Sequence, residues 1–243
     1  MPESLVILPG LLCDSAMFGA QLDAFENAQV IDGFYGGADR LEAMADYALE
    51  RMPARVSLMG HSMGARVALE VCRKAPERVA RLALADTGIH PVRAGEADKR
   101  YALRDLGRTQ GFAALVDAWL PPMIGPARRH EDDLYEALQA MCLRAGQAVY
   151  EAQIEALLNR PEVEDLLGRL CCPVALIVGE ADAWSPPSQH AEIAQFIAPH
   201  WADTCPLSTI AGAGHMAPAE APEAFNTALR RWLAMPACTC ATT

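Results

Sequence analysis

Val56-Ser57-Leu58-Met59-Gly60-His61-Ser62-Met63-Gly64-Ala65-Arg66-Val67-Ala68-Leu69-Glu70 runs from an apolar stretch into an alanine-rich helical pattern, through two glycines that bracket a serine. Gly60-His61-Ser62-Met63-Gly64 matches G-x-S-x-G. The match gains meaning from its setting, because the strand Val56–Met59 precedes it and a helix through Lys74 follows. A strand-to-helix turn this sharp holds the serine in a strained backbone conformation. A Cβ two residues to either side would clash, and glycine at 60 and 64 removes it. The bland alternative, a Gly-Ser turn without chemistry, does not call for that setting. Ser62 is the candidate nucleophile.

Outward from this turn the same alternation recurs. Leu5–Leu8 ends at Pro9-Gly10, Gln29–Ile31 at Asp32-Gly33, and Arg81–Ala85 at Asp86. Farther on, Val174–Val178 ends at Gly179 and Ser208–Ile210 at Gly212. Short runs that are apolar throughout suit parallel strands covered on both faces. Between them, Arg40–Arg51, Met63–Lys74, Pro187–Ile197 and Pro222–Leu233 carry apolar residues at helical spacing. Strand and helix in alternation predict an α/β fold, a doubly wound and mostly parallel sheet of about six strands. Between Asp86 and Cys171 no convincing strand occurs. Tyr101–Leu106, Gly111–Leu120, Asp132–Ala145 and Ala148–Leu158 all read as helices. That stretch is too long for a loop. The expected division is a core of residues 1–87 and 170–236, a helical cap inserted at 88–169, and a flexible tail at 237–243.

Composition limits the rest. The chain has 243 residues, 20 Lys+Arg against 31 Asp+Glu, and a formal charge of −11. Such an acidic balance argues against nucleic acid or an anionic membrane as partner. No apolar run nears the ~18 residues of a membrane span. Met1-Pro2-Glu3-Ser4 lacks a basic leader region, so Leu5–Leu8 reads as a strand and the expected location is cytoplasmic. The eight cysteines are then expected as reduced thiols. Cys171-Cys172 and Cys238-Thr239-Cys240 lack zinc-site spacing, so no metal is expected. Gly212-Ala213-Gly214 lacks the third glycine of a dinucleotide loop, and no cofactor is implied. A monomer or homodimer is expected.

The run Gly60–Glu70, followed by Pro76-Glu77-Arg78-Val79 and Arg81–Asp86, resembles the nucleophile elbow, following helix and next strand of the α/β-hydrolase superfamily. The likeness extends over the sheet-forming parts almost end to end. In that superfamily a base and an orienting acid follow the serine in the order Ser, Asp/Glu, His. His215, in Ala211-Gly212-Ala213-Gly214-His215-Met216, stands where the resemblance implies the catalytic histidine. Asp182, in Gly179-Glu180-Ala181-Asp182, matches the acid loop, with Asp86 and Glu180 as competitors. Met63 and Leu11 are the expected N–H donors of an oxyanion hole, although Pro9-Gly10 stands where many relatives have His-Gly. The abrupt start leaves no room for two leading strands that many relatives have. Of the other histidines, His61 reads as packing, His90 as a possible substrate contact, and His130, His190 and His200 as surface residues.

The resemblance implies a serine hydrolase, carboxylesterase-like, acting on a small or medium carboxylic ester, thioester or lactone. The same machinery also serves C–C bond hydrolases and lyases of the menaquinone-synthesis type, which Arg66, four residues after Ser62, resembles. Arg66 reads equally well as an exposed arginine paired with Glu70. A ligand-binding protein without turnover is the reading from another class. Trp119, Met123 and Met141 in the insertion are the candidate apolar substrate contacts beside His90, expected to form a lid over the serine.

Overall fold

The computed structural model describes residues 4–197 and 205–237. His200 and the tail cysteines Cys238 and Cys240 lie outside them. Among the described residues six strands form one sheet: β1 (Ser4–Leu8), β2 (Ala28–Val30), β3 (Val56–His61), β4 (Val79–Ala85), β5 (Val174–Gly179) and β6 (Leu207–Ile210). Their order is β2-β1-β3-β4-β5-β6, and all five pairings are parallel. The nucleophile strand β3 is therefore central, with Gly60 level with Leu8 on one side and Leu84 on the other.

Every residue of β3 and β5 is buried, as the unbroken apolar runs require of strands covered on both faces. The pleat sorts their side chains. Beyond the short α1 (Gly19–Ala24) in the chain, α2 (Leu41–Arg51) and α3 (Met63–Lys74) share one cluster with Leu58, Leu82, Leu84 and Leu176, through Met44, Val67 and Val71. Met59, Ala83, Ala85 and Ile177 point to the opposite face.

Between β4 and β5 the chain holds α4 (Glu96–Gln110), α5 (Phe112–Trp119), α6 (Asp132–Leu158) and the short α7 (Glu164–Leu167). Across α6 the helical geometry breaks at Gly146 (φ 78°, ψ 169°), between the two helices read from sequence. After β5 come α8 (Pro187–Phe196), α9 (Ala217–Glu220) and α10 (Pro222–Leu233). Among the described residues no helix is long and apolar enough to cross a membrane.

Candidate active site

Ser62 sits between β3 and α3 with φ 56° and ψ −118°, a conformation that costs on the order of 1–3 kcal/mol. Its surroundings hold it there. The Ser62 N–H donates to Ala85 O at 2.8 Å, and the Ser62 carbonyl accepts from Thr87 Oγ1 at 3.1 Å and from Ala65 N–H at 3.1 Å. A Cβ on Gly60 would lie 2.5 Å from Ala65 Cα, and one on Gly64 would lie 2.0 Å from Leu8 O. Only glycine permits this approach, as the motif demands.

His215 follows β6, in the turn before α9. Its Nε2 lies 2.8 Å from Ser62 Oγ and its Nδ1 lies 2.8 Å from Asp182 Oδ2. Asp182, just past β5, accepts the Trp184 and Ser185 N–H groups on Oδ1 at 2.8 and 2.9 Å. Burial alone would raise this carboxyl. The charge and hydrogen bond of His215, with the two backbone donors, outweigh burial and hold its pKa down at about 2.

The competing acids fall elsewhere. Glu180 Oε2 accepts the Gly212 N–H, a loop contact. Asp86 is fully buried, its Oδ1 accepting the Gly179 N–H at 2.8 Å and its Oδ2 lying 3.8 Å from His61 Nε2. Burial, and then the negative charge of Asp182, push its carboxyl well above the usual carboxylate range. His61 donates from Nε2 to the His215 carbonyl at 2.8 Å. Burial, helped by the neighbouring His215, brings its pKa down to about 3, so the ring is neutral and serves packing.

Two supports had no motif to announce them. Glu220 of α9 accepts three N–H groups, from Gly125 (2.8 Å), Gly214 (3.0 Å) and Met216 (3.0 Å), and so fixes the turn on both sides of His215. The His215 N–H itself donates to Met123 O at 2.8 Å. Gln153 of α6 accepts the Leu12 N–H at 2.9 Å, next to the Pro9-Gly10-Leu11 turn. That turn abuts the serine, since a Cβ on Gly10 would come within 3.0 Å of Ser62 Cβ.

A cavity of about 330 Å³ opens over Ser62 and Met63, with Thr87, His90, Trp184 and Ser185 among its walls. His90 is thus part of the cavity wall. Trp119, Met123 and Met141 do not line it. Their side chains are buried in the cluster on the Met59 face of the sheet, because α5, the turn Pro121–Met123 and α6 direct their apolar residues into the core. His190 also departs from its surface reading. It is fully buried, with Nε2 accepting the Thr87 N–H at 3.2 Å, whereas His130 is exposed. Arg66 is buried too, and Glu70 pairs with Arg73 instead. Among the described residues no group of three His, Cys, Asp or Glu side chains is placed to hold a metal ion.

A family model described as the alpha/beta hydrolase family matches residues 5–228. No curated protein matches the chain. Among solved structures it is similar to a thermophilic esterase from Thermogutta terrifontis, solved with malate bound, at 28% identity and a TM-score of 0.82, covering 95% of this chain and 89% of that one. It is similar in fold to a hydrolase from Pseudomonas aeruginosa PA01 (23% identity, TM-score 0.82, 96% and 91% covered). The enol-lactonase from Burkholderia xenovorans LB400 is similar in fold as well (21% identity, TM-score 0.81, 96% and 92% covered).

Proposed function

The chain belongs to the alpha/beta hydrolase family, and from that premise we propose that it is a serine hydrolase cleaving a small or medium carboxylic ester, thioester or lactone through an acyl-enzyme on Ser62. The observation that carries this reading is the unbroken run of 2.8 Å contacts from Ser62 Oγ through His215 to Asp182, at the mouth of a cavity. The 28% identity to an esterase supports an ester as substrate.

His215 Nε2 takes the Ser62 proton as Oγ attacks the scissile carbonyl. Asp182 holds the Nδ1–H tautomer and stabilises the imidazolium that forms. The oxyanion is received by two backbone N–H groups. Met63 opens α3, where a helix leaves its first N–H groups without intrahelical acceptors. Leu11 supplies the second from the turn that Gly10 brings against Ser62. His215 then protonates the leaving alcohol or thiol, activates water against the acyl-enzyme, and returns the proton to Ser62 as the acid departs. Residues 88–169 act as the cap of a core built from 1–87 and 170–236. The buried thiols Cys13, Cys72, Cys142 and Cys172 fit a reducing, cytoplasmic setting.

The test is a series of p-nitrophenyl esters of increasing chain length, with Ser62→Ala as control. Turnover of the short and medium members is expected, and it should fall to background in the variant. Turnover that survives Ser62→Ala would remove the serine from the chemistry.

A further inference from the structure

In a chain of net charge −11, the cavity over Ser62 has the opposite sign. Arg66, Arg93, Lys99, Arg100 and Arg160 line it against a single lining carboxylate, Glu96. Their hydrogen bonds separate them. Arg160 donates all around its guanidinium, to Glu96, His90 O, Pro91 O and Leu157 O, and so is saturated. Arg100 is held by the same Glu96. The one lining carboxylate is therefore already shared by two arginines.

Arg66 is different. It is 4% exposed, and its hydrogen bonds go to carbonyls, His90 O at 2.9 Å and Pro161 O at 3.5 Å. Among the described residues no carboxylate pairs within 4 Å with its guanidinium, nor with the charged groups of Arg93 and Lys99 at the exposed rim, although Glu96 accepts the Arg93 backbone N–H at 3.2 Å. A buried cation is ordinarily paired, since leaving it without a counter-charge is destabilising. Burial, with Arg160 adding repulsion, lowers the Arg66 pKa to about 10; the more distant charges of Glu164, Glu96 and Glu70 offset this only in part, and the group stays charged at neutral pH. It stands four residues from Ser62 at the start of α3, one helical turn or about 6 Å along the axis, and lines the same cavity.

Resting on the hydrolase reading above, we infer that this cavity takes an ester or lactone that itself bears a carboxylate, paired with Arg66 and drawn in by Arg93 and Lys99. The spacing of Arg66 from Ser62 matches a short chain between the scissile carbonyl and the charge. A volume of about 330 Å³ is at the small end for ligand sites and agrees with a compact substrate.

Two pairs of substrates test this at constant pH, by titrating the acid released. Monomethyl glutarate against methyl pentanoate places the carboxylate on the acyl side, and 4-acetoxybutanoate against butyl acetate places it on the alcohol side. In one pair at least, the charged member should have a kcat/KM about tenfold or more above the neutral one, with the advantage shrinking as salt is added. Arg66→Gln should cut that ratio on the order of 10- to 100-fold, the range for a lost charge-assisted hydrogen bond, and Arg66→Lys should restore part of it. Arg93→Glu and Lys99→Glu, at the exposed rim, should lower the ratio even where Arg66→Gln fails to fold. Neutral members hydrolysed as fast as charged ones in both pairs would overturn the inference and leave the hydrolase reading intact. Equal loss on both members in Arg66→Gln would also overturn it, reducing Arg66 to a tether for His90 and Pro161. Should no ester at all be turned over, the hydrolase reading fails, and calorimetric titration with glutarate decides the anion site separately. Binding weakened about tenfold or more by the rim reversals supports the site, and absence of binding overturns it.

Discussion

Two carboxylates near His215 have opposite fates, and the difference lies in what each touches. Asp182 receives the His215 ring and two backbone N–H groups, which stabilise its ionised form. Asp86 is fully buried, receives one N–H and feels the negative charge of Asp182, so its neutral form is favoured. Asp182→Asn should lower kcat by roughly 10³- to 10⁴-fold, the scale seen when the orienting acid of such a system is lost. Asp86→Asn keeps the neutral shape and should retain most of the turnover; steady-state kinetics on a p-nitrophenyl ester separates the two. The reverse pattern would move the acid to Asp86. The depressed Asp182 pKa also has a sign for stability. An acid with a folded pKa of about 2, below its ordinary value near 4, stabilises the fold above about pH 4. That contribution fades as pH falls toward 2. Urea unfolding between pH 5 and 2.5 should accordingly show a shallower loss of stability in Asp182→Asn than in the parent.

At the scale of elements, the sheet was legible because short apolar runs closed by Gly, Pro or Asp alternate with helical patterns; only the edge strands β2 and β6 lie mostly outside full burial. Met63–Lys74 and Pro222–Leu233 have the bounds their periodicity implies. Even the interruption at Gly146 separates Asp132–Ala145 from Ala148–Leu158 as the pattern suggests. That Ser62, Asp182 and His215 meet was legible too, since each follows a strand in a recognisable order. Illegible were the contacts made across long sequence separations. Nothing around Glu220 announces three N–H groups arriving from residues 125, 214 and 216. Arg66 was ambiguous because an arginine on a helix is ordinarily exposed, and its burial depends on how 90 and 161 fold over α3. Gln153 belongs to the same class, a helix residue that accepts the Leu12 N–H across 141 positions. Gln153→Ala should lower kcat about five- to tenfold and stability by about 1 kcal/mol, the worth of one buried hydrogen bond. Gln153→Glu, which keeps an acceptor, should recover part of the rate. An unchanged kcat in Gln153→Ala would separate this contact from the Gly10-Leu11 turn.

Across the whole molecule, the inserted helices and the sheet are not cored separately. Trp119, Leu138, Met141 and Ile154 share one apolar cluster with Ile7, Met59 and Ile177, and with Phe225 and Trp232 of α10. The apolar stripe that read as a lid over the serine is thus spent on the fold, and the cavity wall comes from the polar approach to α4, from Arg160 and from the Trp184 turn. A sequence cannot separate these uses, because a stripe at helical spacing looks the same whether it meets a ligand or a neighbouring helix. The two uses make different demands on a truncation. If Trp119 and Met141 were substrate walls, alanine there would change chain-length preference and leave stability nearly intact. As core, Met141→Ala should cost about 2–5 kcal/mol and Trp119→Ala about 3–5 kcal/mol, from lost burial and the cavity left behind. Urea denaturation read by both fluorescence and circular dichroism should find a single transition moved to lower urea. Insertion and sheet unfold together in that case, because removing a side chain from a shared cluster weakens both. Over the p-nitrophenyl series the folded variants should keep the parent's order of preference. Two separated transitions, with the parent's sheet transition unmoved, would instead show that the insertion stands on a core of its own.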